Sequence, residues 1–183
     1  MHSPRLFLLL CSALLLSGCA GSSRVAPGIL HHPYATSRDG GLRYRLPAGW
    51  FDVTADPQSA GHALLLIRND YQATIVVDEV RLDAAARASL QENGLMGLAP
   101  LLASLGAWEK GRVLVEAPRL LDLNGAEYCR YALTGNGAGE RVEVTLVNAA
   151  GRVYAVSVLL SDASGRNGVF GELQEGFIGS LRW

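Results

Sequence analysis

Cysteine is scarce in this chain. It occurs at Cys11, Cys19 and Cys129, so beyond the first nineteen residues one thiol remains. That excludes a disulfide framework or a cysteine-built zinc site in the body of the protein. Basic excess is missing too, with 16 Lys+Arg against 17 Asp+Glu. A nearly neutral chain has no electrostatic footprint for nucleic acid and no polybasic patch for lipid head groups. No apolar run approaches the about 20 residues that a spanning helix needs. Histidine is limited to His2, His31, His32 and His62. The adjacent pair His31-His32 would point to opposite sides of an extended chain and lacks acidic or thiolate partners at fixed spacing, so no metal is expected there. A Gly-x-Ser-x-Gly nucleophile elbow is also absent.

What is present begins with a three-zone leader. His2 and Arg5 give a weakly basic start, Leu6 to Leu16 is apolar apart from Cys11 and Ser12, and Ser17-Gly18 supplies small residues before Cys19. This is the layout of a secretory signal peptide. Leu16-Ser17-Gly18-Cys19 also resembles the lipobox of bacterial lipoproteins, in which the cysteine becomes the first mature residue and carries lipid. An ordinary secretory leader that ends in cysteine is the alternative. A thiolate is the side-chain nucleophile suited to accept a diacylglyceryl group. The resemblance implies at least two acyl chains on Cys19, which is enough for stable anchoring. The expected location is the periplasmic side of a bacterial envelope. Ala20, where an aspartate would favour the inner membrane of enterobacteria, points by analogy to the outer one.

The reading divides the chain into a signal peptide at 1–18, a lipidated cysteine with a flexible tether at 19–41, and one domain at 42–183. The tether carries Ser22, Ser23, Pro27, Gly28 and Pro33, ends in Asp39-Gly40-Gly41 and has no sustained periodicity. In the domain, Leu42, Tyr44 and Leu46 alternate with Arg43 and Arg45 as a half-buried strand, closed by the turn residues Pro47-Ala48-Gly49 before Trp50. Ala63–Ile67 and Ala73–Val80 are apolar runs joined through Arg68-Asn69-Asp70, a hairpin. Asp83 caps a helix that ends at Asn93-Gly94. A second helix follows, with Pro100 in its first turn and Leu98, Leu101, Leu102 and Leu105 on one face. That leucine face fits core packing or an amphipathic partner site.

Strands then dominate. Val113 and Val115 alternate with Leu114 and Glu116, and Ala117-Pro118 marks an edge or a break. Cys129, Tyr131 and Leu133 share a face opposite Tyr128, Arg130 and Ala132. Val142, Val144 and Leu146 oppose Arg141, Glu143 and Thr145, and Val153–Leu160 reads as a central strand. Asn124-Gly125 and Asn148-Ala149-Ala150-Gly151 are hairpin turns. A terminal helix places Val169, Phe170, Leu173, Phe177, Ile178 and Leu181 inward, with Glu172, Gln174 and Glu175 outward. The sum is an α+β domain, an antiparallel meander covered by helices.

Chemical constellations are thin. Gly135-Asn136-Gly137-Ala138-Gly139 joins two strands and no Lys-Ser or Lys-Thr follows, so it is a hairpin loop and not a phosphate cradle. His62 lacks a presented serine, and Cys129 sits on an apolar face as a small buried hydrophobe. Asp78-Glu79 face opposite ways along a strand. No cofactor and no catalytic residue are expected.

Three stretches resemble the PsbP-like (Mog1/PsbP) superfamily. They are the opening Leu42–Trp50 strand and Pro-x-Gly-Trp turn, the late strand Val153-Tyr154-Ala155-Val156-Ser157-Val158 after a Gly-Arg turn, and the closing helix ending Phe177-Ile178-Gly179-Ser180-Leu181. The resemblance covers about Leu42 to Trp183 and implies an antiparallel sheet between helices, an α/β/α sandwich. It also implies extrinsic subunits, assembly factors or protein-binding modules without shared catalytic residues. The expected function is a lipid-anchored, non-catalytic binding or assembly module for a protein partner. Trp50, Phe51 and Trp108 are candidates for exposed aromatics at that contact, with core packing the alternative for each. A carrier that holds a lipid or small apolar ligand among Leu95–Leu105, between sheet and helices, is the second expectation.

Overall fold

Alternating apolar residues become strands wherever the sequence offers a turn to reverse them. The computed structural model describes residues 33–109, 111–123, 126–135, 140–149, 151–161 and 167–183, with side chains at 108–109 and 167–173 left aside. The leader, Cys19, His31-His32, the Asn124-Gly125 turn and residues 136–139 of the glycine-rich loop lie outside these residues. Among the described residues the chain forms β1 (Tyr34–Thr36), β2 (Arg43–Arg45), β3 (Trp50–Asp52), β4 (Leu64–Arg68) and β5 (Ala73–Glu79). Helix α1 (Ala84–Glu109), β6 (Val113–Leu123), β7 (Ala126–Thr134), β8 (Arg141–Ala149), β9 (Arg152–Leu160) and α2 (Asn167–Ser180) follow.

The main sheet is antiparallel with strand order β3-β4-β5-β9-β8-β7-β6. It is two meanders joined at their last strands, rather than one. Helix α1 carries the chain from β5, inside the sheet, to β6 at the far edge, and β9 returns to pair with β5. The apolar run Val153–Leu160 is therefore central, as its composition predicts. Arg68-Asn69-Asp70 turns the β4–β5 hairpin, with the Tyr71 N–H donating to the Arg68 carbonyl at 2.9 Å.

The sheet is covered on both faces, giving the α+β sandwich. On one face α1 buries Leu95, Leu98, Ala99 and Ala103 against Cys129, Tyr131, Leu133, Val142, Val144 and Leu146. On the other, Leu42, Tyr44, Phe177, Ile178 and Leu181 pack on Ile75, Val77, Val156 and Val158. Each large apolar side chain fully buried this way stabilises the fold by about 1.5–3 kcal/mol. Among the described residues no helix is long and apolar enough to cross a membrane.

Three local expectations change. Order begins before Leu42, because Tyr34–Thr36 pairs with Arg43–Arg45. The Tyr34 ring lies under the guanidinium carbons of Arg45 and Arg43 at 4.7 and 5.2 Å, and such stacking holds even a short polar strand in place. Residues 34–36, expected within the tether, are thus a paired strand. Second, Leu101 and Leu105 are exposed. Ala99 and Ala103 let α1 approach the sheet closely, and at about 100° per residue Leu101 and Leu105 lie some 90° or more from the centre of that face. Third, Gln174 is inside, fully buried. It sits one turn before Phe177 and Ile178, on the same face by the i, i+3, i+4 rule.

The break within α1 is at Gly94, as the sequence puts it, but Pro100 lies inside the second half and not in its first turn. Gly94 has φ 61° and ψ −156°, a conformation open essentially to glycine alone, and it divides the helix into two. Asp83 caps the first half, its Oδ1 accepting from the Ala86 N–H at 2.7 Å. Gly97 allows the second half to fold back. A Cβ there would lie 2.8 Å from the Ser89 carbonyl oxygen.

Candidate functional site

Exposed apolar side chains are concentrated along one margin of the molecule. Among the described residues ten large hydrophobics are exposed, and seven of them lie on two adjacent elements: Met96, Leu101 and Leu105 on α1, and Val113, Leu114, Val115 and Leu120 on β6. Phe51, Tyr71 and Trp183 are the other three. Grouping of this kind is informative where scattered exposure is not.

The strand that carries the margin is an edge by position and by chemistry. β6 pairs with β7 only, and its register shifts between Leu114 and Glu116 and again between Glu116 and Arg119. Pro118 falls inside the second shift, where its missing N–H breaks no ladder. Register with β7 sorts the side chains. Leu114 opposite Leu133 and Leu120 opposite Cys129 face α1, whereas Glu116 and Arg119 oppose Ala132 and Arg130 on the other face. Ion pairs fix the strand at two points. Arg112 meets Glu140 at 2.5 Å, and Arg141 meets Glu116 while also reaching Glu143 at 3.1 Å.

The opposite edge differs. Trp50, at the start of β3, is 5% exposed and belongs to the core, so it is not a surface aromatic. Gly49, at φ 77°, and the Trp50 N–H bonded to the Pro47 carbonyl at 3.2 Å turn the indole inward. Phe51 alternates outward and is 54% exposed. Trp108 falls where side chains are left aside. Next to Phe51, Asp52 accepts from the Tyr44 phenol and, at 2.9 Å, from the Thr54 N–H. Burial pushes the Asp52 carboxyl up, but hydrogen bonds from Thr54 and Tyr44 outweigh it and leave its pKa lowered. Tyr44 is pushed up by burial and by that same carboxylate.

Among the described residues, the two side chains with the most reactive chemistry, His62 and Cys129, lie apart. His62 Nδ1 lies 2.7 Å from Asp78 Oδ1 on the surface. The nearby Ser59 hydroxyl is buried and donates to the Val53 carbonyl at 2.8 Å, turned to the backbone. Cys129 is buried, its Sγ 3.6 Å from Met96 Sδ. Burial, with Glu127 adding to it, raises its pKa, the opposite of what a reactive thiolate requires. Burial pushes the neighbouring Tyr131 phenol up to about 12. Neither His62 nor Cys129 lines the groove beside Trp183 or the one between the first half of α1 and Arg152. The leucines expected to line a carrier's pocket are divided. Leu98 is packed in the core, Leu101 and Leu105 are on the surface, and Leu95 alone borders a groove of about 330 Å³ beside Trp183.

One feature escapes strand alternation altogether. The polar face of β7 and β8 is not solvated, because α2 lies over it and Arg130, Glu143, Thr145 and Gln174 are buried. Arg130 reaches Glu175 at 3.2 Å and Thr145 Oγ1 at 3.4 Å, and Gln174 donates to the Glu143 carbonyl at 3.4 Å. Arg130 Nη2 and Gln174 Oε1 have no partner among the described residues. An incompletely satisfied polar layer of this kind lowers stability. The signal for it is the terminal helix itself: once that helix has an apolar face, it must cover the sheet.

No family model matches the chain, and no curated protein sequence matches it. Similarity appears at the level of structure. Cyanobacterial PsbP (CyanoP) from Synechocystis sp. PCC 6803 superposes with a TM-score of 0.60 at 13% identity, over 92% of this chain and 98% of that one. The Ran-binding protein Mog1p of Saccharomyces cerevisiae gives a TM-score of 0.56 at 9% identity, over 82% and 94%. A point variant of Mog1 gives 0.56 at 8% identity, over 84% and 96%. The fold of this chain is PsbP/Mog1-like.

Proposed function

We propose that the chain is a membrane-anchored periplasmic lipoprotein whose domain is a non-catalytic binding or assembly module for a protein partner, docked along the α1–β6 margin. The observation that carries the docking site is the gathering of seven of ten exposed large hydrophobics on those two elements. Contact there is by side chains more than by strand addition, because Pro118 and the register shifts interrupt the edge. That Mog1p is a Ran-binding protein supports a protein-contact role for this fold. Cys19 anchors the domain in the outer membrane through its acyl chains.

Two experiments test the two halves. Cys19→Ser leaves the chain uncut at that site and without acyl mass, and moves it out of the membrane fraction; normal processing and unchanged fractionation would refute the anchor. Leu114→Glu, a charge at the centre of the margin, weakens partner binding about 30-fold or more while Phe51→Glu does not. Equal effects of the two substitutions would refute the docking site.

A further inference from the structure

The domain has a second surface feature, on the far side of the Gly94 break from the leucines. The segment after β5, the first half of α1 and the β8–β9 turn enclose a groove of about 530 Å³, within the range of small-molecule sites. The Val80 N–H donates to the Val153 carbonyl at 2.8 Å and ties two of its walls together. Arg81, Arg87 and Arg152 line it with Glu79, three guanidiniums against one carboxylate. Leu82 and Leu90 also line it, half-buried and packed on the core beneath α1.

The arginines of this groove are less tied down than most of the others, Arg38 and Arg182 being held by backbone carbonyls and Arg119 sharing the lack of an ion pair among the described residues. Elsewhere Arg68, Arg112, Arg130 and Arg141 are held by carboxylates, and Arg43 and Arg45 lie over Tyr34. In the groove Arg152 is shared between Asp39 at 3.6 Å and Glu79 at 3.8 Å, which answers the one carboxylate present. Arg81 and Arg87 have no ion pair among the described residues. The neighbouring Asp83 carboxylate accepts from the helix instead.

We infer that this groove binds a small amphiphilic oxyanion, with a phosphate or carboxylate head on Arg81 and Arg87 and an apolar body on Leu82 and Leu90. Guanidinium forks match both head groups, and in a concave site their hydrogen bonds are charge-assisted and bidentate. Leucine side chains beneath them favour a ligand with an apolar portion over a bare ion. The site is separate from the α1–β6 margin and does not depend on it.

Calorimetric titration of the full chain in a non-ionic detergent tests the site with phenyl phosphate, benzoate, inorganic phosphate and phenol as probes. The expected result is saturable binding of phenyl phosphate or benzoate, tighter than inorganic phosphate and tighter than phenol. Which of the two binds better identifies the head group. Arg81→Gln and Arg87→Gln each weaken that binding about tenfold, and Arg119→Gln, on β6, leaves it unchanged. Because Arg81 and Arg87 are exposed and have no ion pair among the described residues, the variants keep the wild-type Tm. Absence of saturable binding, or a double variant Arg81→Gln/Arg87→Gln that melts normally and binds as tightly as wild type, would overturn the site.

Discussion

The two edges of the main sheet solve the same physical problem in opposite ways. β3 is three residues long, and its Trp50 turns into the core. β6 is eleven residues long and exposes Val113, Leu114, Val115 and Leu120. A short edge with an inward aromatic is closed to partners, whereas a long apolar one invites them. Pro118 and the two register shifts limit that invitation, discouraging indiscriminate strand pairing and leaving the side chains available. The difference separates stability from recognition: Trp50 of β3 holds the fold together, and Val113, Leu114, Val115 and Leu120 of β6 are exposed to hold something else.

Substitution can break the comparison at its strongest point. Trp50→Ala should lower unfolding free energy by about 3–5 kcal/mol, as truncation of a buried aromatic does, measured by urea denaturation. A loss below about 1 kcal/mol would mean that the β3 edge is not core, and the contrast between edges would vanish.

Acid sharpens the comparison, because the titrating pair sits on the β3 side. The Asp52 pKa is lowered in the folded state. Its contribution is therefore present above the unfolded carboxyl pKa and is lost as pH falls through the lower folded value. Thermal melts between about pH 5 and about pH 2 should show a smaller drop in Tm for Asp52→Asn than for wild type. Parallel curves would place the acid sensitivity elsewhere.

Much of this contrast is legible in the sequence. Pro118 after Ala117 marks β6 as an edge or a break, and the Val153–Leu160 run, apolar but for Ser157, marks β9 as central, because proline cannot donate to a ladder and a nearly all-apolar strand needs cover on both faces. Asp83 and Gly94 bound the first half of α1 through the two local devices that end helices, a side-chain acceptor and a glycine backbone. What alternation could not supply is which side of a strand a helix covers. Gln174, Arg130 and Thr145 look like surface residues until α2 is laid over them. Leu101 and Leu105 look like core until Ala99 and Ala103 roll the helix toward the sheet. The site was half legible for the same reason: Trp50 and Phe51 are neighbours in sequence, but the pleat sends one inside and the other out.

At the small end of the scale, Leu114→Glu should change unfolding free energy by no more than about 1 kcal/mol, since the residue is 42% exposed at the sheet edge. That makes it the right probe for the central claim. Native mass spectrometry of the protein, gently solubilised from its own membranes, should show a second polypeptide in fixed ratio with wild type and with Phe51→Glu, and none with Leu114→Glu. A partner that stays bound to Leu114→Glu, or no second polypeptide on the wild-type chain, would contradict the account.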